Sequence, residues 1–118
     1  MTINKRHAEL LAKHCTKKPK AVALGDVEFD LAALSGWRLE GKSITKTFEF
    51  KDHYETIAFV NRVAEISHKE NHHPDLAVGY NRCVVVYTTH DAADITENDF
   101  ICAAKVEAIL PMSTAAKS

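Results

Sequence analysis

Seven histidines stand in this chain of 118 residues, and three of them, His68, His72 and His73, fall within six positions. Imidazole titrates at about pH 6.5, so of two such groups held together one can give a proton while the other takes one at neutral pH. A metal competes for the same residues. His68 and His72 are four apart, which on an unbroken helix would set both on one face, and His90 could complete a three-histidine zinc site. Pro74 argues against that geometry, because proline pushes the preceding residue out of the helical region and leaves His72 at a helix end. No His-Glu-x-x-His pattern is present, so metal-free acid–base chemistry ranks above zinc. His7, His14 and His53 are isolated and expected to be uninvolved. Other chemistries are weaker: no Gly-x-Ser-x-Gly elbow exists, Cys83 lies in a strand-like run where a small buried residue is the default, and four isolated glycines make no phosphate loop.

The elements that must position these histidines are legible from periodicity. Ile3, His7, Leu10, Leu11 and Cys15 recur at helical spacing and predict a short helix over residues 4 to 14, followed by the Lys17-Lys18-Pro19-Lys20 stretch as a solvated connector. Val27 to Leu34 reads as a second short helix. Trp37 to Glu40 and Ile44 to Phe50 alternate apolar and polar residues around Gly41-Lys42, which predicts a β-hairpin. Asp52 and Glu55 have capping-box form, and Ile57, Val60 and Ala64, with Phe59, Val63 and Ile66, predict a long helix from 52 to about 70. Leu76 to Tyr80 and Cys83 to Tyr87 predict two further strands. After a polar loop, Thr96 to Asp99 again has capping-box form and opens a last helix towards Pro111. The expected fold is therefore α+β, a two-layer sandwich. A four-stranded antiparallel sheet carries helices on one face, in the order ββαββα after an N-terminal helical segment. The expected divisions are residues 1–23 as N-terminal extension and linker, 24–112 as the domain, and 113–118 as a frayed tail. Because the start of the third strand and the end of the fourth are neighbours in a hairpin, His72, His73 and His90 are expected at one rim of the sheet.

Composition bounds the rest. A mass of 13.1 kDa fits one domain. With 46% hydrophobic and 26% charged residues, neither disorder nor a membrane protein is expected. The net charge of −1 carries no electrostatic footprint for nucleic acid. Three unpaired cysteines, Cys15, Cys83 and Cys102, argue against a disulfide framework and point to a reducing, cytoplasmic compartment.

The spacing His68-x-x-x-His72-His73-Pro74, five residues to Tyr80, nine to His90 and eight to Asp99, resembles the signature of the pterin-4a-carbinolamine dehydratase family. Leu34-x-Gly36-Trp37, Phe48-x-Phe50-x-Asp52, Phe59, Val63-Ala64-Glu65, Thr88-Thr89-His90 and Asn98-Asp99-Phe100 extend the resemblance over residues 24 to 110. The resemblance implies metal-free removal of water from a 4a-hydroxytetrahydropterin, which regenerates the quinonoid dihydropterin for aromatic amino-acid hydroxylases. On this pattern the pterin is the substrate and no cofactor is needed. His72 and His90 would take the acid–base roles and His73 would bind the pterin. His68, where many members carry a glutamate, Pro74 and Asp99 would be supporting or structural. Asp99 is expected first of all to cap the last helix, and Trp37 and Tyr80 to pack in the core or at its rim. The resemblance also implies a homodimer or homotetramer formed by sheet extension, and an alternative role as a dimerisation or transcriptional coactivator module.

Overall fold

A computed structural model describes residues 5–111 of the chain. Ile3 and the expected C-terminal tail at 113–118 lie outside the described residues. The elements run α1 (Lys5–Ala12), α2 (Leu24–Ala33), β1 (Arg38–Glu40), β2 (Ser43–Glu49), α3 (His53–Glu70), β3 (Asp75–Val78), β4 (Arg82–Tyr87) and α4 (Glu97–Glu107), with a 3-10 turn at His90–Ala92. This is the α+β order expected. The strands form one open sheet in the order β1-β2-β4-β3, each neighbouring pair antiparallel.

Register explains which side chains the sheet buries. Ile44 pairs with Tyr87 and Phe48 with Cys83, so these residues share one face with Val85 between them, and all five are buried. Phe59 and Val63 of α3 and nearly the whole of α4 close over that face. An aromatic cluster fills the middle, with the Phe48 and Phe59 rings 4.8 Å apart and the Trp37 and Phe48 rings edge-on at 5.9 Å. Trp37 Nε1 and Lys46 Nζ both donate to Glu107, which ties the end of α4 to the sheet. Trp37 is thus a core residue, as expected.

Several boundaries and faces differ from the sequence reading. Helix α2 begins at Leu24, three residues earlier than Val27. Tyr80 falls in the β3–β4 turn rather than in β3, where its exposed ring stacks on His53. The buried stripe of α3 is Thr56, Phe59, Val63, Ser67 and Glu70, while Ile57 and Ala64 are exposed. The polar members are accommodated because each is bonded: Thr56 donates to the carbonyls of Asp52 and Tyr80, and Ser67 to that of Val63.

Helix α1 packs against α4 and α2. Leu10 is fully buried, and Arg6 donates to the buried Asp30 of α2 at 2.6 Å and to Glu97 of α4 at 2.9 Å. The hydrogen bond to Asp30 raises the guanidinium's affinity for its proton against the opposing effect of burial, so Arg6 keeps its charge. Among the described residues no helix is long and apolar enough to cross a membrane.

Candidate active site

The path of the chain at the end of α3 decides where the histidines go. The helix stops at Glu70, and Asn71 adopts the left-handed conformation (φ 52°), which asparagine tolerates better than most residues. The amides of Asn71 and His72 both donate to the Ser67 carbonyl, and the chain then turns into β3. His72 therefore lies past the helix, and His68, exposed in the last turn of α3, does not share a helical face with it.

In the sheet, Asp75 pairs with Val86, so the residues before β3 meet those after β4. His72 is brought against Tyr87, their rings stacked at 5.8 Å with planes 8° apart. Two residues on, the Thr89 hydroxyl donates to Oδ2 of Asp99 at 2.9 Å, and the Thr96 amide donates to the same oxygen at 2.9 Å. Oδ1 of Asp99 accepts from His72 Nε2 at 2.6 Å. Asp99 is wholly buried, and the His72 side chain is 10% exposed. The carboxylate expected to cap α4 does cap it, with Thr96, and the same group also holds the imidazole. A carboxylate accepts and cannot donate, so the proton of neutral His72 sits on Nε2 and the lone pair on Nδ1. Among the described residues Nδ1 has no hydrogen-bond partner, and His72 lines a cleft.

That cleft has a volume of about 820 Å³ and is walled by His72, Thr89 and Asn98 with residues from the 15–19 and 69–71 segments. Its floor is fixed by Glu70, whose Oε1 accepts from the Cys15 amide at 2.8 Å while Oε2 lies 2.8 Å from His14 Nδ1. Burial acts to raise the Glu70 carboxyl's proton affinity, but the Cys15 amide, His14 and Lys105 outweigh it and hold the group below the ordinary carboxylate value. The Lys17–Pro19 stretch is thus part of the cleft wall and not a bare connector. His14, expected to be uninvolved, supports that wall.

His90 opens the 3-10 turn directly after Thr89, and the loop it begins is closed by mutual backbone bonds between Thr89 and Asp94. Its side chain and that of His73 are exposed and without hydrogen-bond partners among the described residues. The structure thus brings His72 and Asp99 into contact and sets His90 one residue from Thr89, which donates to Asp99. It leaves His68 outside this network, and Pro74 at the entry to β3. Tyr87 and Thr89 have roles the sequence reading did not assign. Thr89 stands in the Thr88-Thr89-His90 match, but its bond to a residue ten positions away carries no local signal. Among the described residues no three histidine, cysteine or carboxylate side chains converge as a metal site.

This single antiparallel sheet backed by helices, which here carries a carboxylate-anchored imidazole on its rim, is shared with solved structures of the pterin dehydratase fold. Over residues 21–109 the chain matches the family described as pterin 4 alpha carbinolamine dehydratase, and it belongs to that family. A Bdellovibrio bacteriovorus protein assigned the same family name is 50% identical over 105 residues, covering 86% of this chain and 88% of its own length. One from Nitrosospira multiformis is 59% identical over 76 residues, covering 64% and 67%. Among solved structures, a transcriptional coactivator/pterin dehydratase from Brucella melitensis superposes with a TM-score of 0.73 at 34% identity, over 76% of this chain and 98% of that one. A pterin dehydratase-like protein identified as a RuBisCO assembly factor in the alpha-carboxysome gives 0.57 at 25% identity, over 64% and 90%.

Proposed function

We propose that this chain is a 4a-hydroxytetrahydropterin dehydratase. The observation that carries the reading is the His72–Asp99 pair, joined by a 2.6 Å hydrogen bond where His72 lines a cleft. One imidazole of the His72 and His90 pair protonates the 4a-hydroxyl, and the C4a–O bond breaks to release water. The other takes the proton from N5, whose electron pair closes the C4a=N5 bond of the quinonoid dihydropterin. Asp99 holds His72 in one tautomer and one orientation, which is the positioning that general acid–base catalysis requires. His73, exposed beside His72, binds the pterin. The side chains supply the chemistry without metal or cofactor. The product is the form that a pterin-dependent hydroxylase needs reduced again, so the chain works in cofactor recycling, in the cytoplasm.

Assembly as a homodimer or homotetramer is part of the proposal. Among the described residues β3 pairs on one side only, so its other edge is available for a second sheet. A second reading is a binding module, favoured by the likeness to a coactivator and to an assembly factor. The two separate cleanly. Purified protein is added to a tetrahydropterin-dependent hydroxylase reaction and decay of the 4a-hydroxy intermediate is followed. Acceleration in proportion to added protein supports the dehydratase; an unchanged decay leaves the binding module.

A further inference from the structure

The stretch Lys17-Lys18-Pro19-Lys20 is held at both ends. On one side the Cys15 amide donates to Glu70, the Thr16 amide to Asn98 Oδ1, and Asn98 Nδ2 returns a bond to the Thr16 carbonyl at 2.8 Å. On the other, Ala21 bridges to Thr96 and the Val22 amide donates to Ile95. The residues between form an arch fixed over the start of α4. Lys17 and Lys18 line the same cleft as His72, and Lys69 joins them from the end of α3.

These three lysines differ from the ones that brace the fold. Lys13 bonds Glu97, Lys46 bonds Glu107 and the Ser35 carbonyl, and Lys105 bonds the Leu11 carbonyl beside Glu70. Lys17, Lys18 and Lys69 have no such partner among the described residues. Of the two carboxylates on the cleft, Glu70 is already occupied by Cys15, His14 and Lys105, which leaves Asp91 alone against three ammonium groups. The cleft is also of a size that takes ligands much larger than a bare bicyclic ring.

We infer that the substrate pterin carries an anionic group, a phosphate ester or a carboxylate, on its side chain, and that Lys17 and Lys18 bind this group while the ring lies at His72. The inference rests on the dehydratase reading and names the substrate class of that same site. The anchored arch fixes the backbone from which the two lysines extend, which lowers the ordering cost of binding relative to a free loop.

The test compares three 4a-carbinolamines, with a neutral dihydroxyalkyl, a phosphorylated and a carboxylate-bearing side chain. Each is assayed with wild type, the double variant Lys17→Ala/Lys18→Ala, the charge-keeping Lys17→Arg/Lys18→Arg, and Lys20→Ala, a lysine of the arch that does not line the cleft. The expected result is a wild-type preference in kcat/KM for one anionic substrate over the neutral one. That ratio falls about tenfold, through KM, in the alanine pair, and is kept by the arginine pair and by Lys20→Ala. The substrate preferred shows whether the anion is phosphate or carboxylate. Equal use of neutral and anionic substrates by wild type, or a ratio that survives the alanine pair, overturns the inference while the dehydratase stands. Should wild type turn over none of the three, the dehydratase reading fails. Fluorescence titration with the corresponding oxidised pterins, which needs no turnover, then decides the anion site. Tighter binding of an anionic pterin, lost in the alanine pair, supports it, and equal binding overturns it.

Discussion

Nε2 of His72 lies 2.6 Å from Oδ1 of Asp99, and this contact joins the chain leaving α3 to the first turn of α4 across the rim of the sheet. The other carboxylate oxygen is saturated by the Thr89 hydroxyl and the Thr96 amide, so Asp99 has no freedom to turn away. A helix cap and an imidazole clamp are the same group. The residue that caps α4 therefore also places the proposed acid–base residue.

Replacing Asp99 with asparagine keeps the shape and reverses the donor pattern at one atom. Whichever way the amide is turned, it cannot accept at both former oxygen positions. Asp99→Asn is expected to lower kcat for dehydration on the order of 100-fold with a smaller change in KM, measured by decay of the 4a-hydroxy intermediate. An unchanged kcat would show that the clamp is only structural.

Thr89→Val removes the hydroxyl between Asp99 and Thr96, whose own hydroxyl lies 2.7 Å from it. Two buried groups lose a partner, and the expected loss is about 1–2 kcal/mol of unfolding free energy, read from the denaturant midpoint at unchanged slope. Thr89→Ser should restore most of it.

Tyr87 presents the opposite case. Its hydroxyl is buried without a hydrogen-bond partner among the described residues, and burial first, then the thiols of Cys102 and Cys15, push its proton affinity far up. Tyr87→Phe keeps the ring that stacks on His72 and is expected to leave stability equal or raised by up to about 1 kcal/mol, with dehydration retained. Tyr87→Leu, which removes the ring face, should lower kcat.

Glu70 gives the fold a dependence on pH. Its folded carboxyl is held below the unfolded value near 4.5, so the stability it contributes is present above that value and is lost as pH falls through the folded one. Wild type should exceed Glu70→Gln in urea midpoint at pH 7, and the gap should narrow steadily as the pH is taken below 4.5. A gap that persists there would contradict this source of acid sensitivity.

What was legible in the sequence follows the range of the interactions. The capping signals at Asp52 and Thr96 gave the starts of α3 and α4, alternation gave the first three strands and a β-branched run the fourth, because these patterns are set by neighbours in the chain. The meeting of His72 with the end of β4 followed from hairpin connectivity. The double use of Asp99 did not, since the cap is local and the bond to His72 spans 27 positions. Tyr80 read as strand because its alternation continued past Val78, where the turn in fact begins. The Lys17–Lys20 stretch read as a free connector because nothing in it shows the anchors at Glu70, Asn98 and Ile95 that fix it over the cleft.

The most direct test follows decay of the 4a-hydroxytetrahydropterin intermediate with wild type, His72→Ala, His90→Ala and the double variant, each verified as folded by circular dichroism. Acid–base dehydration by this pair predicts acceleration by wild type, a loss on the order of 100-fold in each single variant and no acceleration by the double. Undiminished acceleration by His72→Ala/His90→Ala would contradict it.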